Sequence, residues 1–244
     1  MTLLSIINEI LDASKIESGI VEIIDAKYSM KSLINEIYNM TNMRAADKGL
    51  SLVFDIDKNI PSMLMGDGKR IRQVVLNLLT NAIKYTNKGS VTLKVTCAIE
   101  DNCAKVTYSV KDTGIGIKEE DKEKIYNAFQ RVDVSRNRNI EGTGLGLNIA
   151  RQYLNLMNSQ LQIESEYEKG SEFSFEIIQN VVDITPIGDY KEETGNISED
   201  ECTKAAFVAP QGKILVLWNL PTPLIEPSSN ALITILPSGK VQVP

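Results

Sequence analysis

The hydrophobic positions of this chain switch between helical and strand-like periods several times, and the order of the switches outlines a fold. Residues 3–17 place Leu3, Leu4, Ile6, Ile7, Ile10, Leu11, Ala13 and Ile16 at helical spacing, and Gly19 ends the run. A short helix this apolar needs cover over much of its circumference, so a coiled-coil mate or a second helix is expected. Residues 29–48 predict an amphipathic helix with Leu33, Ile34, Ile37, Tyr38 and Met40 inward, closed by Gly49. A strand-like LSLVFDI follows at 50–56, with Leu50, Leu52, Phe54 and Ile56 alternating. Asp67 then opens a helix to about Tyr85, whose Ile71, Val74, Val75, Leu78, Leu79, Ala82 and Ile83 form one face. Two strands, SVTLKVTCAI and AKVTYSVKD, are joined by the turn-like EDN. Beyond glycine-rich segments come a short helix from about Asn148 to Met157 and a hairpin, QLQIESEYEKGSEFSFEII. The inward face of that helix is read as Leu147, Ala150, Leu154 and Met157. Interleaved helices and antiparallel hairpins predict an α/β two-layer sandwich, with helices on one face of a mixed sheet.

After about Val182 the pattern is lost. Residues 183–206 are acidic and polar and read as a linker. From Phe207 the chain offers one strand-like KILVL and then five prolines in the 24 residues from Pro221, too little to build a core.

Composition narrows the function. At roughly 150 residues per domain, 244 residues make one to two domains. Hydrophobic residues at 43% and charged residues at 24% are a globular balance. Lys plus Arg is 26 against 32 Asp plus Glu, a net charge of −6, which argues against a nucleic-acid partner. The histidine count is zero, so His-ligated metal and Ser-His-Asp catalysis are excluded on these residues. Cys97, Cys103 and Cys202 show no CxxC spacing and read as thiols of a reducing compartment. No run approaches the roughly 18 apolar residues of a membrane helix. Asn8, Glu9 and Asp12 interrupt the N-terminal pattern, so it is not a signal peptide and a cytoplasmic chain is expected.

Four segments carry chemistry. Asn77, Asn81 and Lys84 share one stripe of the 67–85 helix, beside its apolar face. Asparagine is a poor helix former, so two in mid-helix call for either a packing reason or a ligand. Amide oxygens suit Mg²⁺, and a lysine one turn on can pair with phosphate. A strand through Val106, Tyr108 and Val110 runs into Asp112, followed by Gly114 and Gly116. A carboxylate at a strand end can accept from an exocyclic amine such as adenine's, and the glycines admit a ring closely; ordinary turns use the same residues. In EGTGLGLNIARQYLNLM, Gly142, Gly144 and Gly146 lead into a helix N-terminus, which favours an anion but is neither a Walker A loop nor GxGxxG. Between these, Arg131, Arg136 and Arg138 make residues 130–141 locally basic, as a lid over phosphates or as a solvated loop.

The order of these segments, with Ala128–Arg131 and the closing GSEFSF, resembles the N, glycine and F boxes of sensor histidine kinases over residues 1 to about 180. The resemblance implies the Bergerat-type ATP-binding fold shared with gyrase, MutL and the heat-shock chaperone ATPases, with ATP and Mg²⁺ as cofactors. It implies Asn81, helped by Asn77, as the Mg²⁺ ligand, with Lys84 and Tyr85 on the phosphate chain. Asp112 would read the adenine amine, with Gly114 and Gly116 packed by the ring. Phe129 and Arg131 would anchor and charge the lid. Gly142, Thr143, Gly144, Leu145 and Gly146 would wrap the phosphates, and Gly170 and Phe173 would complete the adenine side. Gyrase-type and chaperone ATPases use a glutamate in the first box to activate water. LNLLTNAIKYT carries Thr80 before Asn81, and Lys84 where those families tend to have Asp, which favours phosphoryl transfer to a protein.

The same resemblance divides the chain into the end of a dimerisation and phosphotransfer helix (1–26), a catalytic ATP-binding domain (27–182), an acidic linker (183–206) and an aborted receiver-like strand with a Pro-rich tail (207–244). In APQGKILVL, Trp218 and Asn219 follow where a receiver would place an acidic pair. With no histidine here, autophosphorylation in cis is not expected. The chain reads as a fragment of a hybrid sensor kinase of a bacterial two-component phosphorelay, its parent membrane-anchored or not. Implied partners are a histidine-bearing phosphotransfer domain, a response regulator and a second copy through the N-terminal helix. The alternative is a non-catalytic nucleotide-binding or interaction module that associates with another kinase.

Overall fold

The computed structural model describes residues 3–121, 125 and 143–190, and four short strands beyond them. Residues 1–192 form one unit and residues 193–244 another. In the second unit Phe207–Val208 pairs antiparallel with Ile214–Leu215, and Thr234–Ile235 with Val241–Gln242.

The first unit contains α1 (Leu3–Glu17), β1 (Ala26–Ser29), α2 (Met30–Asp47), β2 (Ser51–Ile56), β3 (Pro61–Gly66) and α3 (Gly68–Tyr85). It continues with β4 (Ser90–Glu100), β5 (Cys103–Asp112), α4 (Gly146–Leu156), β6 (Gln162–Glu166) and β7 (Gly170–Pro186). One sheet runs β1-β3-β7-β5-β4-β2, with β6 beside the start of β7. Only β2 and β4 are parallel, so the sheet is mixed. Asp101 and Asn102 both take positive φ, which makes the tight two-residue turn that holds β4 and β5 in register.

Alternation along the strands separates the two faces. Val91, Leu93 and Val95 of β4, Val106, Tyr108 and Val110 of β5, and Phe173, Phe175 and Ile177 of β7 are buried beneath the helices. Tyr108 and Phe175, paired across the ladder, stack at 5.0 Å. The opposite face is polar: Lys105 meets Glu176 at 2.9 Å and Lys111 meets Glu172 at 3.4 Å. Helices on one face of a mixed sheet are the two-layer α/β sandwich. The apolar stripe of α3 is buried at every residue from Ile71 to Ile83 that the periodicity selects. Asp67 caps that helix, accepting from Arg70 N at 3.0 Å and, with its other oxygen, from Ile24 N at 3.1 Å.

Four features differ from the sequence reading. Met40 does not face inward; it is 56% exposed, and Thr41 takes the buried position with its hydroxyl on Ile37 O at 2.7 Å. Residues 34, 37, 38, 41 and 45 follow the helical period, whereas position 40 lies about 115° from the centre of that stripe. On α4, Ile149 and Tyr153 join the buried face, while Leu147 and Met157 are half-buried. β1 and β3 lack alternation and became strands through pairing with each other and with β7. β7 stays paired to Pro186, beyond the change in composition at Val182, because β3 runs beside it.

α1 docks near its C-terminal end, where Ala13 is buried, Ile16 packs on the core and Asp12 accepts from Gln73 Nε2 at 2.8 Å. Ile7, Ile10 and Leu11 on its earlier turns are 43–50% exposed.

Candidate functional site

α3 contributes a half-buried polar stripe of Asn77, Asn81, Lys84 and Tyr85 beside its apolar face. Asn77 Nδ2 donates to the Gly146 carbonyl at 3.0 Å, so this asparagine has a packing role: it ties α3 to the first residue of α4. Asn81 lies one turn further on. The Lys84 ammonium sits 4.8 Å above the Tyr85 ring.

The last inward residue of β5 is Asp112, opposite Ser171 of β7 and only 6% exposed. Its Oδ1 accepts from Gly114 N at 2.8 Å. Burial raises the carboxyl above its ordinary value, and the backbone N–H groups of Gly114 and Ser171 oppose that shift. Burying this carboxylate costs the fold stability that the backbone donors only partly offset, and such a group at a sheet's end is a candidate for a ligand contact.

The turn after Asp112 is held from two sides. Ile115 N donates to Tyr85 O at 3.3 Å, and a Cβ on Gly114 would lie 2.5 Å from that same oxygen. Glu168 N donates to Ile115 O at 2.7 Å, and Ile117 N to Ser165 Oγ at 2.8 Å. Gly116, at φ +63°, and Gly170, at φ +109°, cross so closely that a Cβ would run into the carbonyls of Glu166 and Asp112 respectively. Phe173 is buried one inward pair below Asp112, opposite Val110.

At the α4 end, Gly144 has φ +76°, and Thr143 Oγ1 accepts from Leu145 N at 3.2 Å. Leu145 is buried, and α4 starts at Gly146 with no side-chain cap. The first-turn N–H groups and the positive end of the dipole are therefore set up for an external acceptor. Phe129, Arg131, Arg136, Arg138 and Gly142 lie outside the described residues.

Thus the structure gathers Asp112, Gly114, Gly116, Tyr85 and Gly170 at one end of α3, and joins Asn77 to Gly146 at mid-helix. Sequence reasoning missed Thr86, buried behind Gly114, and the Ser165–Ser171 hydroxyl pair at 2.9 Å under Gly170. Neither carries a local sequence signal. A separate groove of about 500 Å³ near β1 and the start of α3 is lined by none of these residues.

The donor set can be tested against Mg²⁺. Among the described residues no three carboxylate, thiol or imidazole groups converge. Amide oxygens alone fit an ion that keeps several waters and is held largely by phosphates, as Mg²⁺ is.

Comparison with known proteins decides the family. Residues 66–181 match the family model described as histidine kinase-, DNA gyrase B-, and HSP90-like ATPase. Hybrid signal transduction histidine kinase B of Dictyostelium discoideum is 38% identical over 176 residues, covering 72% of this chain and 9% of that protein. Residues 66–181 therefore form a domain of this ATPase family, and the relatives that this chain resembles are histidine kinases. Signal transduction histidine-protein kinase BarA of Escherichia coli K12 is 35% identical over 72% of this chain and 19% of its own length. Full-length ShkA, solved in complex with AMPPNP, superposes with a TM-score of 0.65 at 29% identity, covering 74% of this chain and 36% of that one. The histidine kinase relatives are therefore much longer, and this chain spans only a small part of each. The Bergerat-type architecture expected from the sequence is the one found: a two-layer α/β sandwich in which α3 carries the Asn77–Asn81 stripe beside the glycine segments.

Proposed function

We propose that this domain binds Mg²⁺-ATP between α3 and the two glycine segments and transfers the γ-phosphoryl group to a histidine. The observation that supports this most strongly is that one helix holds both segments. Asn77 of α3 bonds Gly146, and Tyr85 O at its end receives Ile115 N. Asp112 accepts the adenine amine, while Gly114, Gly116 and Gly170 keep the backbone flat against the ring and Phe173 supports the floor. Thr143, Gly144, Leu145 and Gly146, with Gly142 of the same motif, wrap the phosphates at the α4 N-terminus. Lys84 and Tyr85 meet the phosphate chain. Phe129 and Arg131 anchor and charge the lid.

Asn81 holds the metal, and Asn77 assists with its amide oxygen and through the loop it fixes. When bound, Mg²⁺ neutralises charge on the phosphate oxygens. The histidine nitrogen attacks the γ-phosphorus, a P–N bond forms, and the bond to the ADP oxygen breaks. No histidine occurs in these 244 residues, so the acceptor belongs to a phosphotransfer helix outside them and this chain does not label itself.

A response regulator receives the group next. We further assign residues 1–26 to the end of a dimerisation helix, 27–182 to the catalytic domain, 183–206 to a linker and 207–244 to a receiver-like remnant. The exposed Ile7, Ile10 and Leu11 are suited to a second copy. Among the described residues no helix is long and apolar enough to cross a membrane.

The test mixes the chain, Mg²⁺-ATP and a histidine-bearing helical hairpin from a related kinase, and reads acid-labile phosphate on the hairpin. Labelling is expected, and Asn81→Ala should lower its rate by about 10²–10³-fold without lowering the melting temperature. Nucleotide binding without labelling would instead assign the alternative role, a nucleotide-binding module that associates with another kinase through α1.

A further inference from the structure

The last turn of a helix leaves carbonyl oxygens without intrahelical donors, so each must be accounted for. At the end of α3, Ala82 O accepts from Thr86 N at 3.1 Å and from Thr86 Oγ1 at 2.8 Å. Tyr85 O accepts from Ile115 N at 3.3 Å. The other three converge on one group: Lys48 Nζ donates to Ile83 O at 2.9 Å, Lys84 O at 2.8 Å and Thr86 O at 3.3 Å. An ammonium has three N–H donors, and here all three are used on one helix end.

Lys48 is itself fixed. It is the C-cap of α2. Gly49 follows at φ +65°, Gly49 N donates to Ala46 O at 2.8 Å and Leu50 N to Ala45 O at 3.0 Å. That is the 5→2 and 6→1 pattern of a Schellman motif. The end of one helix thus presents a cation to the negative end of another.

The capped carbonyls of Ile83, Lys84 and Thr86 bracket residues the site depends on. Lys84 and Tyr85 belong to the polar stripe, and Tyr85 O braces the Gly114–Ile115 turn beside Asp112. We infer that Lys48, through its triple carbonyl cap on α3, is a positioning residue that sets the nucleotide-binding geometry of Lys84, Tyr85 and the Asp112–Gly114 turn. Lys48 touches no nucleotide itself; the inference rests on the nucleotide site proposed above.

The experiment compares ATP affinity by calorimetry, thermal melting, and hydrogen exchange at the Ile115 amide in the full chain and three variants. Lys48→Met should weaken ATP binding about tenfold, equivalent to ~1.4 kcal/mol, and speed Ile115 exchange. Lys48→Arg, which restores a cation with several donors, should recover most of the affinity. Phe54→Leu, in the core against Tyr38 and Tyr190, should lower the melting temperature and leave affinity unchanged, separating position from general stability. Equal affinity in Lys48→Met and the unsubstituted chain would overturn the inference, as would an equal loss in Phe54→Leu. If the unsubstituted chain bound no ATP, the nucleotide site would fall, and Ile115 exchange would decide alone: unchanged exchange in Lys48→Met overturns the cap.

Discussion

Asp112→Asn is expected to weaken ATP binding by about ten- to hundredfold while raising the melting temperature of the nucleotide-free chain. Both effects have one cause. The carboxylate sits 6% exposed at the end of β5, where burial raises its pKa and the N–H groups of Gly114 and Ser171 only partly offset this. Its ionised form therefore costs the folded state stability at neutral pH, and a neutral isostere removes that cost. Asparagine's oxygen can still accept from Gly114 N, which turns its NH₂ end toward the adenine amine and sets two donors face to face.

The pH dependence follows in sign. A carboxyl whose folded pKa is raised binds its proton more tightly when folded, so its penalty is full above the folded pKa. That penalty fades as pH falls toward the ordinary value of 3.8. The stability gain of Asp112→Asn should therefore be largest at neutral pH and disappear in acid. Melting curves across that range check the sign, and a variant less stable than the parent at neutral pH would contradict it.

Gly170→Ala is expected to destabilise the fold by about 3 kcal/mol, a fall of roughly 10 °C in melting temperature. Gly170 has φ +109°, a region that L-residues rarely adopt, and an added Cβ would meet the Asp112 carbonyl with Thr113 Cα 3.0 Å away. Both are backbone atoms at the end of the β5–β7 ladder, so neither can swing aside. Gly188 is the control. Its φ is +76°, but nothing lies within 4 Å of an added Cβ. Gly188→Ala should cost about 1 kcal/mol. Denaturant unfolding of the two variants measures the difference, and equal costs would show that the crossing at Asp112 carries no constraint of its own.

α3 was legible because its apolar residues repeat at 3.6 and Asp67 marks its start; β4 and β5 because alternation flanks a turn of Asp101 and Asn102. β3 was not, since PSMLMG has neither alternation nor a clean boundary, and it becomes a strand only between β1 and β7. Met40 misled because apolar character alone does not fix an angle on a helix.

At the site, Asp112, Gly114 and Gly146 were legible from their positions after a strand or before a helix. The nearness of Gly170 to Asp112 was expected only through the family resemblance and carries no local signal, because it arises from a ladder between residues 58 apart. Lys48 was illegible altogether. A lysine before a glycine at a helix end is ordinary, and its three acceptors lie 35–38 residues away.

Calorimetric titration of the full chain with ATP, with and without Mg²⁺, tests the central claim most directly. Saturable one-to-one binding is predicted, tighter with Mg²⁺ than without, with the Mg²⁺ gain lost in Asn81→Ala and the binding itself crippled in Asp112→Asn. The absence of binding, or binding that both variants leave unchanged, would contradict the nucleotide site.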